Sequence, residues 1–374
     1  MISLFGSNVG KEELSAIGDC FERQWLGVGP KTAEFEKQIS EKIGGAHFSF
    51  LNSGSNSLHL AIKLLNIPEG SEIILPSFTW IACANAVMLN NLKPVFCDVD
   101  RSTCNVTAEA VAAKITKKTK AIMVVHYAGK PVDMDSLKQF NLPIIEDAAH
   151  AIDSYYKGQH CGAIGEVGIF SFDAVKNLTT GEGGGVVTKN PDYAKRSKNL
   201  RYCGISKSGF EASATKDRWW EYDVLDYFPK MLNTDMNAAM GLEQLKKLPQ
   251  FQERRKQLWE LYTNTLAKES WANTWLEGAP GPEAHEKHSY FTYFIKLRSG
   301  SRDKLAKFLY DRGIYSSLRY HPLHLNKKYD CPAPLENSEW LNEVALNIPL
   351  HHRMTDQDVG QVLDGLKAFR QQMM

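Results

Sequence analysis

The sequence predicts an α/β protein: a large three-layer domain around a mostly parallel seven-stranded sheet, followed by a smaller α+β domain. Three observations carry this. Seven short apolar runs recur between residues 47 and 188, amphipathic stretches lie between several of them, and the pattern changes near residue 247. Strands that are apolar on both faces and separated by helices belong in a parallel sheet covered on both sides.

The predicted strands are HFSFLN (47–52), EIILPS (72–77), PVFCDV (94–99), AIMVVHY (121–127), PIIED (143–147), GIFSF (168–172) and GVVT (185–188). SNSLHLAIKLLN and AEAVAAKITKK are amphipathic segments of the covering layers. Residues 1–246, including an N-terminal arm, form the large domain, and residues 247–374 the small one. The latter opens with the charged helical stretch QFQERRKQLWELYTNTLAKE. It continues with a strand at 290–297, a helix in RDKLAKFLYDRG and a short strand at 346–349.

Lys plus Arg number 44 against 43 Asp plus Glu, a formal net charge of +1. Without a long basic run, nucleic acid and anionic membranes are not the expected partners. No apolar run reaches the roughly 20 residues that span a bilayer, and the start lacks the pattern of a secretory signal. The seven cysteines (Cys20, Cys83, Cys97, Cys104, Cys161, Cys203 and Cys331) lack CxxC spacing. They read as reduced thiols, with no metal site, and the cytoplasm is the expected compartment.

Ligands of such sheets bind beyond the carboxyl ends of the strands. The unusual segments NSGSN, SFTW, EDAAH and SFDAVK each follow a predicted strand. Lys176 follows an apolar strand and precedes TTGEGGG, whose glycines let the backbone turn tightly beside a bulky ligand. Asp147 ends PIIED, where a carboxylate needs exposure or a partner. Trp80 stands at a loop mouth, and Gly54, Ser55 and Asn56 open a helix whose amides form an anion site. Ser171 lies five residues before Lys176.

Together these are the parts that pyridoxal 5′-phosphate requires: a lysine for a Schiff base, a carboxylate for the pyridine nitrogen, a stacking ring and a phosphate cradle. His150 is placed to contact the phenolic oxygen. Each residue also has an ordinary structural reading. Lys176 is then a surface lysine, Asp147 a helix N-cap, and His150 a satisfied histidine in a first turn. Trp80 becomes core packing, the 53–56 segment a capped helix start, and Ser171 a sheet hydroxyl.

The ordered series NSGSNSLHLA, PSFTW, KPVFCDVD, VVHYAG, IIEDAAHAIDSYYKG, GIFSFDAVKNLTTGEGG and LNTDMNAAMGLEQL resembles the DegT-type sugar aminotransferases. These are fold-type-I pyridoxal phosphate enzymes of the aspartate aminotransferase superfamily. The resemblance covers nearly the whole chain. It implies Lys176 as the Schiff-base lysine, Asp147 beneath the pyridine nitrogen, His150 near the phenolic oxygen and Trp80 on the ring. Gly54, Ser55 and Ser171 correspond to phosphate contacts. Asn233 matches an asparagine that reaches the phosphate from the partner subunit, which implies a homodimer with shared active sites. The family usually has histidine where this chain has Asp173, so substrate contacts inferred from that histidine do not transfer.

The resemblance implies transfer of an amino group from glutamate to a keto sugar made for lipopolysaccharide or another surface polysaccharide. A nucleotide-linked keto-deoxy sugar is favoured. A nucleotide-free acid sugar, such as the precursor of 8-amino-3,8-dideoxy-octulosonate, is the alternative, and a non-enzymatic pyridoxal-binding regulator a further one. Asp173, Arg218, Arg319, His321 and His324 are the candidate substrate contacts, RYHPLH (319–324) resembling a substrate-facing loop. The tryptophan-rich segment 214–229 marks a pocket unlike the common type.

Overall fold

The computed structural model describes residues 1–206, 218, 220–331 and 333–373. All seven predicted strands of the large domain form one sheet. They are β1 (His47–Leu51), β2 (Glu72–Pro76), β3 (Lys93–Cys97), β4 (Thr119–Val125), β5 (Ile144–Asp147), β8 (Val167–Ser171) and β9 (Gly184–Thr188). Their order is β1-β9-β8-β5-β4-β2-β3. Only β9 runs against the rest, antiparallel to both β8 and β1. Parallel pairing joins β3, β2, β4, β5 and β8.

Alternation along each strand builds the three layers. Ile73 and Leu75 enter one buried cluster with Met123 and Ile145. Ile74 enters the other with Ile122, Val124 and Ile144. Because side chains alternate across a pleated sheet, the two clusters lie on opposite faces, as the doubly apolar runs require. The segment expected to be helical after residue 108 is helical only over Ala108–Ala112. Beyond it, the Thr116 amide bonds the Thr119 hydroxyl and the Thr116 hydroxyl bonds Glu72. These side-chain bonds turn the chain in place of further helix.

Two small sheets accompany the large one; the second contains the strands expected at 290–297 and 346–349, and the first was not foreseen. β6 (Tyr155–Tyr156), β7 (Gln159–His160) and β11 (Glu286–Lys287) form one in the order β11-β6-β7. β10 (Leu276–Gly278), β12 (Tyr293–Leu297) and β13 (Ala345–Ile348) form the other, antiparallel throughout. A helix capped by Thr234 runs from Asp235 to Lys268, straight through residues 246 and 247. Near its start Asp235 accepts from the amides of Gly29, Lys31 and Thr32. Further along, Arg254 pairs with Asp356 and donates to the Met354 carbonyl.

Under the sheet end, His126 and Glu146 form a fully buried pair at 2.9 Å. Glu146 also accepts from the amides of Gly162, Ile164 and Gly165. Among the described residues, no helix is long and apolar enough to cross a membrane.

Candidate active site

β1, β5 and β8 point the same way, so their carboxyl ends open on one side of the sheet. A cavity of about 260 Å³ lies there, lined by Gly54, Ser55, Trp80, Asp147, His150, Ser171, Asp173, Lys176 and Arg319 among others. Nine of the residues singled out in the sequence thus meet at one place.

Each is held by local structure. The helix Gly54–Leu64 follows β1, and the Ser53 hydroxyl caps it by accepting from the Asn56 amide at 3.1 Å. The first amides of a helix have no partner within it, and Gly54 and Ser55, at the start of this one, line the cavity. Asn56 is not part of the lining, since its amide is spent on Ser53 and its side chain on Asn52. Gly54 is required here: a Cβ on it would meet Ser171 Cβ at 2.8 Å and Oγ at 3.0 Å.

Asp147 is the last residue of β5 and 5% exposed. The Ala149 amide donates to its Oδ1 at 3.0 Å, and the Cys83 thiol to its Oδ2 at 3.1 Å. His150 stacks on Phe291 with centroids 4.0 Å apart and meets the Tyr320 hydroxyl through Nε2 at 3.1 Å. Among the described residues its buried Nδ1 has no hydrogen-bond partner. Burial, then the charges of Lys176 and Arg319, hold His150 well below its ordinary pKa, so the ring is neutral. Trp80, 55% exposed, stands at the mouth 5.6 Å from the Tyr320 ring.

The Lys176 amine lies 4.8 Å from the Phe291 ring centroid. Burial first, and the Arg319 guanidinium second, lower its pKa to about 8. Arg319 in turn lies 3.7 Å over the ring of Phe5, from the N-terminal arm. That arm is tied to the lysine loop by the Ser7 hydroxyl, which donates to the Ala174 carbonyl. Glu182, from the glycine run, also lines the cavity; burial and the neighbouring Asp173 raise its pKa.

Three of the proposed substrate contacts lie elsewhere. Arg218 pairs with Glu221 on the surface. His321 is exposed and meets Asn342, while buried His324 is engaged by Ser77 and Glu339. None of the three lines the cavity. Asn233 donates through Nδ2 to the carbonyls of Leu51 and Glu182 in its own chain. Of the segment 214–229, residues 214–217 and 219 lie outside the described residues. Sequence reasoning missed Cys83, Glu182, Phe291 and Tyr320. Only Tyr320, inside RYHPLH, and Glu182, inside the glycine run, carried a signal by adjacency.

The residues present fit pyridoxal phosphate. The partnerless His150 Nδ1, the glycine-only approach of Gly54 to Ser171 and the low-pKa amine of Lys176 are features that a group with an aldehyde, a ring and a phosphate accounts for. Fold and site together define a pyridoxal phosphate-dependent aminotransferase. More narrowly, the chain belongs to the DegT/DnrJ/EryC1/StrS aminotransferase family, whose profile matches residues 7–367.

Among relatives, the dTDP-4-dehydro-2,3,6-trideoxy-D-glucose 4-aminotransferase of Saccharopolyspora spinosa is 36% identical over 97% of this chain and 95% of its own. An aminotransferase structure from Streptoalloteichus hindustanus is similar at a TM-score of 0.91 and 36% identity, covering 99% of this chain and 100% of that one. A Streptococcus pneumoniae protein provisionally named a sugar aminotransferase was solved in a PMP form (TM-score 0.93, 27% identity, 100% of both chains). Its PLP form is similar at a TM-score of 0.91 and 27% identity, over 100% of this chain and 99% of that one.

Proposed function

We propose that this enzyme moves an amino group from glutamate to a nucleotide-linked keto-deoxy sugar used in lipopolysaccharide or another surface polysaccharide. The observation that carries the reading is one cavity whose lining brings a guanidinium, Arg319, and two carboxylates, Asp173 and Glu182, together with Lys176.

The Gly54 and Ser55 amides and the Ser171 hydroxyl would hold the phosphate of pyridoxal phosphate. Trp80 would cover the ring, Asp147 would take its nitrogen, and His150 its phenolic oxygen. When bound, the group supplies an electron sink and a carrier for the amino group. Lys176, as a free amine, then takes the proton from the substrate carbon and returns it on the opposite side of the transfer. A pKa near 8 leaves the amine able to do both near neutral pH. Neutral His150 donates or accepts one hydrogen bond without adding charge. Arg319 takes the donor's carboxylate, and the stacked aromatic wall of Phe5, Phe291 and His150 keeps water from the amine.

Asp173 and Glu182 suit a hydroxyl-rich sugar ring, whose hydroxyls donate to carboxylate oxygens. The Saccharopolyspora relative supports a nucleotide-linked acceptor. Two copies would form a homodimer, for which exposed Phe21, Trp25 and Leu26 offer an apolar face, and seven unpaired cysteines suit the cytoplasm. The test converts the enzyme to its pyridoxamine form with glutamate, then adds each acceptor separately. Return of the starting absorbance with a nucleotide-linked keto sugar supports the reading. Return only with the free acid sugar, or no conversion by glutamate, overturns it.

A further inference from the structure

Asp147 sits at the floor of the cavity with two hydrogen-bond donors, one to each oxygen. Ala149 supplies a backbone amide, which no side-chain substitution removes. The other donor is a side chain: Cys83, in the helix Ala82–Leu89, whose Sγ lies 3.1 Å from Oδ2. Cys83 is 0% exposed. Its sulfur also lies 3.4 Å from the Thr79 hydroxyl, one turn earlier and next to Trp80.

We propose that Cys83 is a positioning residue: its thiol proton fixes the orientation of the Asp147 carboxylate toward the cofactor's ring nitrogen. The inference rests on the role given to Asp147 above.

The chemistry follows from the donor inventory. A carboxylate accepts only, and a donor on its second oxygen stabilises the charged form and sets the plane of the group. A thiol performs this only while protonated. Burial, and then the negative charge of Asp147 itself, push the Cys83 thiol far above its ordinary value, so the proton stays on sulfur at all working pH values. The same burial leaves the thiol no path to solvent. It acts on the site through Asp147 alone and touches neither substrate nor the reacting atoms. Thr79 offers an acceptor or donor to the sulfur and anchors this contact to the loop that carries Trp80.

Two variants separate the hydrogen bond from packing. Cys83→Ser keeps a donor, and Cys83→Val keeps the bulk without one. Holoenzyme of each is compared with wild type in melting temperature, cofactor dissociation constant, kcat, KM and the pH profile of the visible absorbance. The expected result for Cys83→Val is a kcat about tenfold lower, the loss of one hydrogen bond to a charged group. KM stays within about twofold, cofactor binding weakens, and the absorbance profile shifts. Cys83→Ser recovers most of each quantity.

A Cys83→Val enzyme with wild-type kcat, cofactor affinity and spectrum overturns the proposal. So does a Cys83→Ser enzyme as impaired as Cys83→Val at equal melting temperature. Asp147→Asn run alongside keeps the premise distinct. If it retains full activity and affinity, the reading of Asp147 fails; if it is impaired while Cys83→Val is normal, only the role of Cys83 fails.

Discussion

Lys176 provides the sharpest quantitative test of the site. Its pKa falls from the ordinary 10.5 to about 8 because burial and Arg319 both penalise the charged amine. At pH 7.5 an amine of pKa about 8 is about one quarter neutral, whereas one at 10.5 is neutral in about one molecule per thousand. Only the neutral amine attacks a carbonyl, so the difference in reactive population is a few hundredfold. The assay strips the cofactor and exposes the apoenzyme to limiting acetic anhydride from pH 6 to 10. Modification at Lys176 is then quantified by mass spectrometry against exposed Lys117. Access to the cavity changes the absolute rate, but the pH midpoint reports the pKa. A midpoint near 8 is expected. Arg319→Met should move it upward yet leave it below 10.5, because burial is the larger cause. A wild-type midpoint near 10.5, or a downward shift in Arg319→Met, would refute the electrostatic account of the cavity.

Gly54→Ala places a Cβ 2.8 Å from Ser171 Cβ in the phosphate cradle; cofactor affinity measured by equilibrium dialysis should fall about tenfold, the loss of one good contact, and an unchanged affinity would show that the phosphate lies elsewhere. Phe5→Ala removes the ring beneath Arg319; KM for glutamate should rise severalfold while kcat changes little, and the reverse pattern would remove Arg319 from donor binding. Glu146→Ala leaves buried His126 and three amides without their acceptor, which should cost about 3–5 kcal/mol; a melting temperature equal to wild type would mean that the pair is replaceable.

Much of the sheet was legible because burial on both faces writes short, continuous apolar runs, and strands β1 to β5, β8 and β9 each carried one. The reversal of β9 was not, since GVVT reads the same in either direction and only its pairing to β8 and β1 distinguishes them. β6, β7 and β11 are two residues each, too short for any periodicity. The amphipathic run after residue 108 promised more helix than forms, because the Thr119 and Thr116 hydroxyls accept from the Thr116 and Lys118 amides.

The site shows a similar division. Residues that follow strand ends were visible in advance, since a polar or glycine residue directly after an apolar run is itself the signal. What charge alone could not decide was which cation faces the lysine. Arg218, Arg319, His321 and His324 are all candidate substrate contacts in the sequence, but His324 is taken up by Ser77 and Glu339, and Arg218 by Glu221. Arg319 alone of the four reaches the cavity, and it does so against Phe5, from the opposite end of the chain. The N-terminal arm is therefore part of the electrostatics of the site: by holding Arg319 in place it helps to set the Lys176 pKa. Phe5→Ala should accordingly raise the Lys176 labelling midpoint, in the same direction as Arg319→Met and by less. A midpoint unmoved by Phe5→Ala while Arg319→Met shifts it would mean that Arg319 needs no help from the arm to stay where it is.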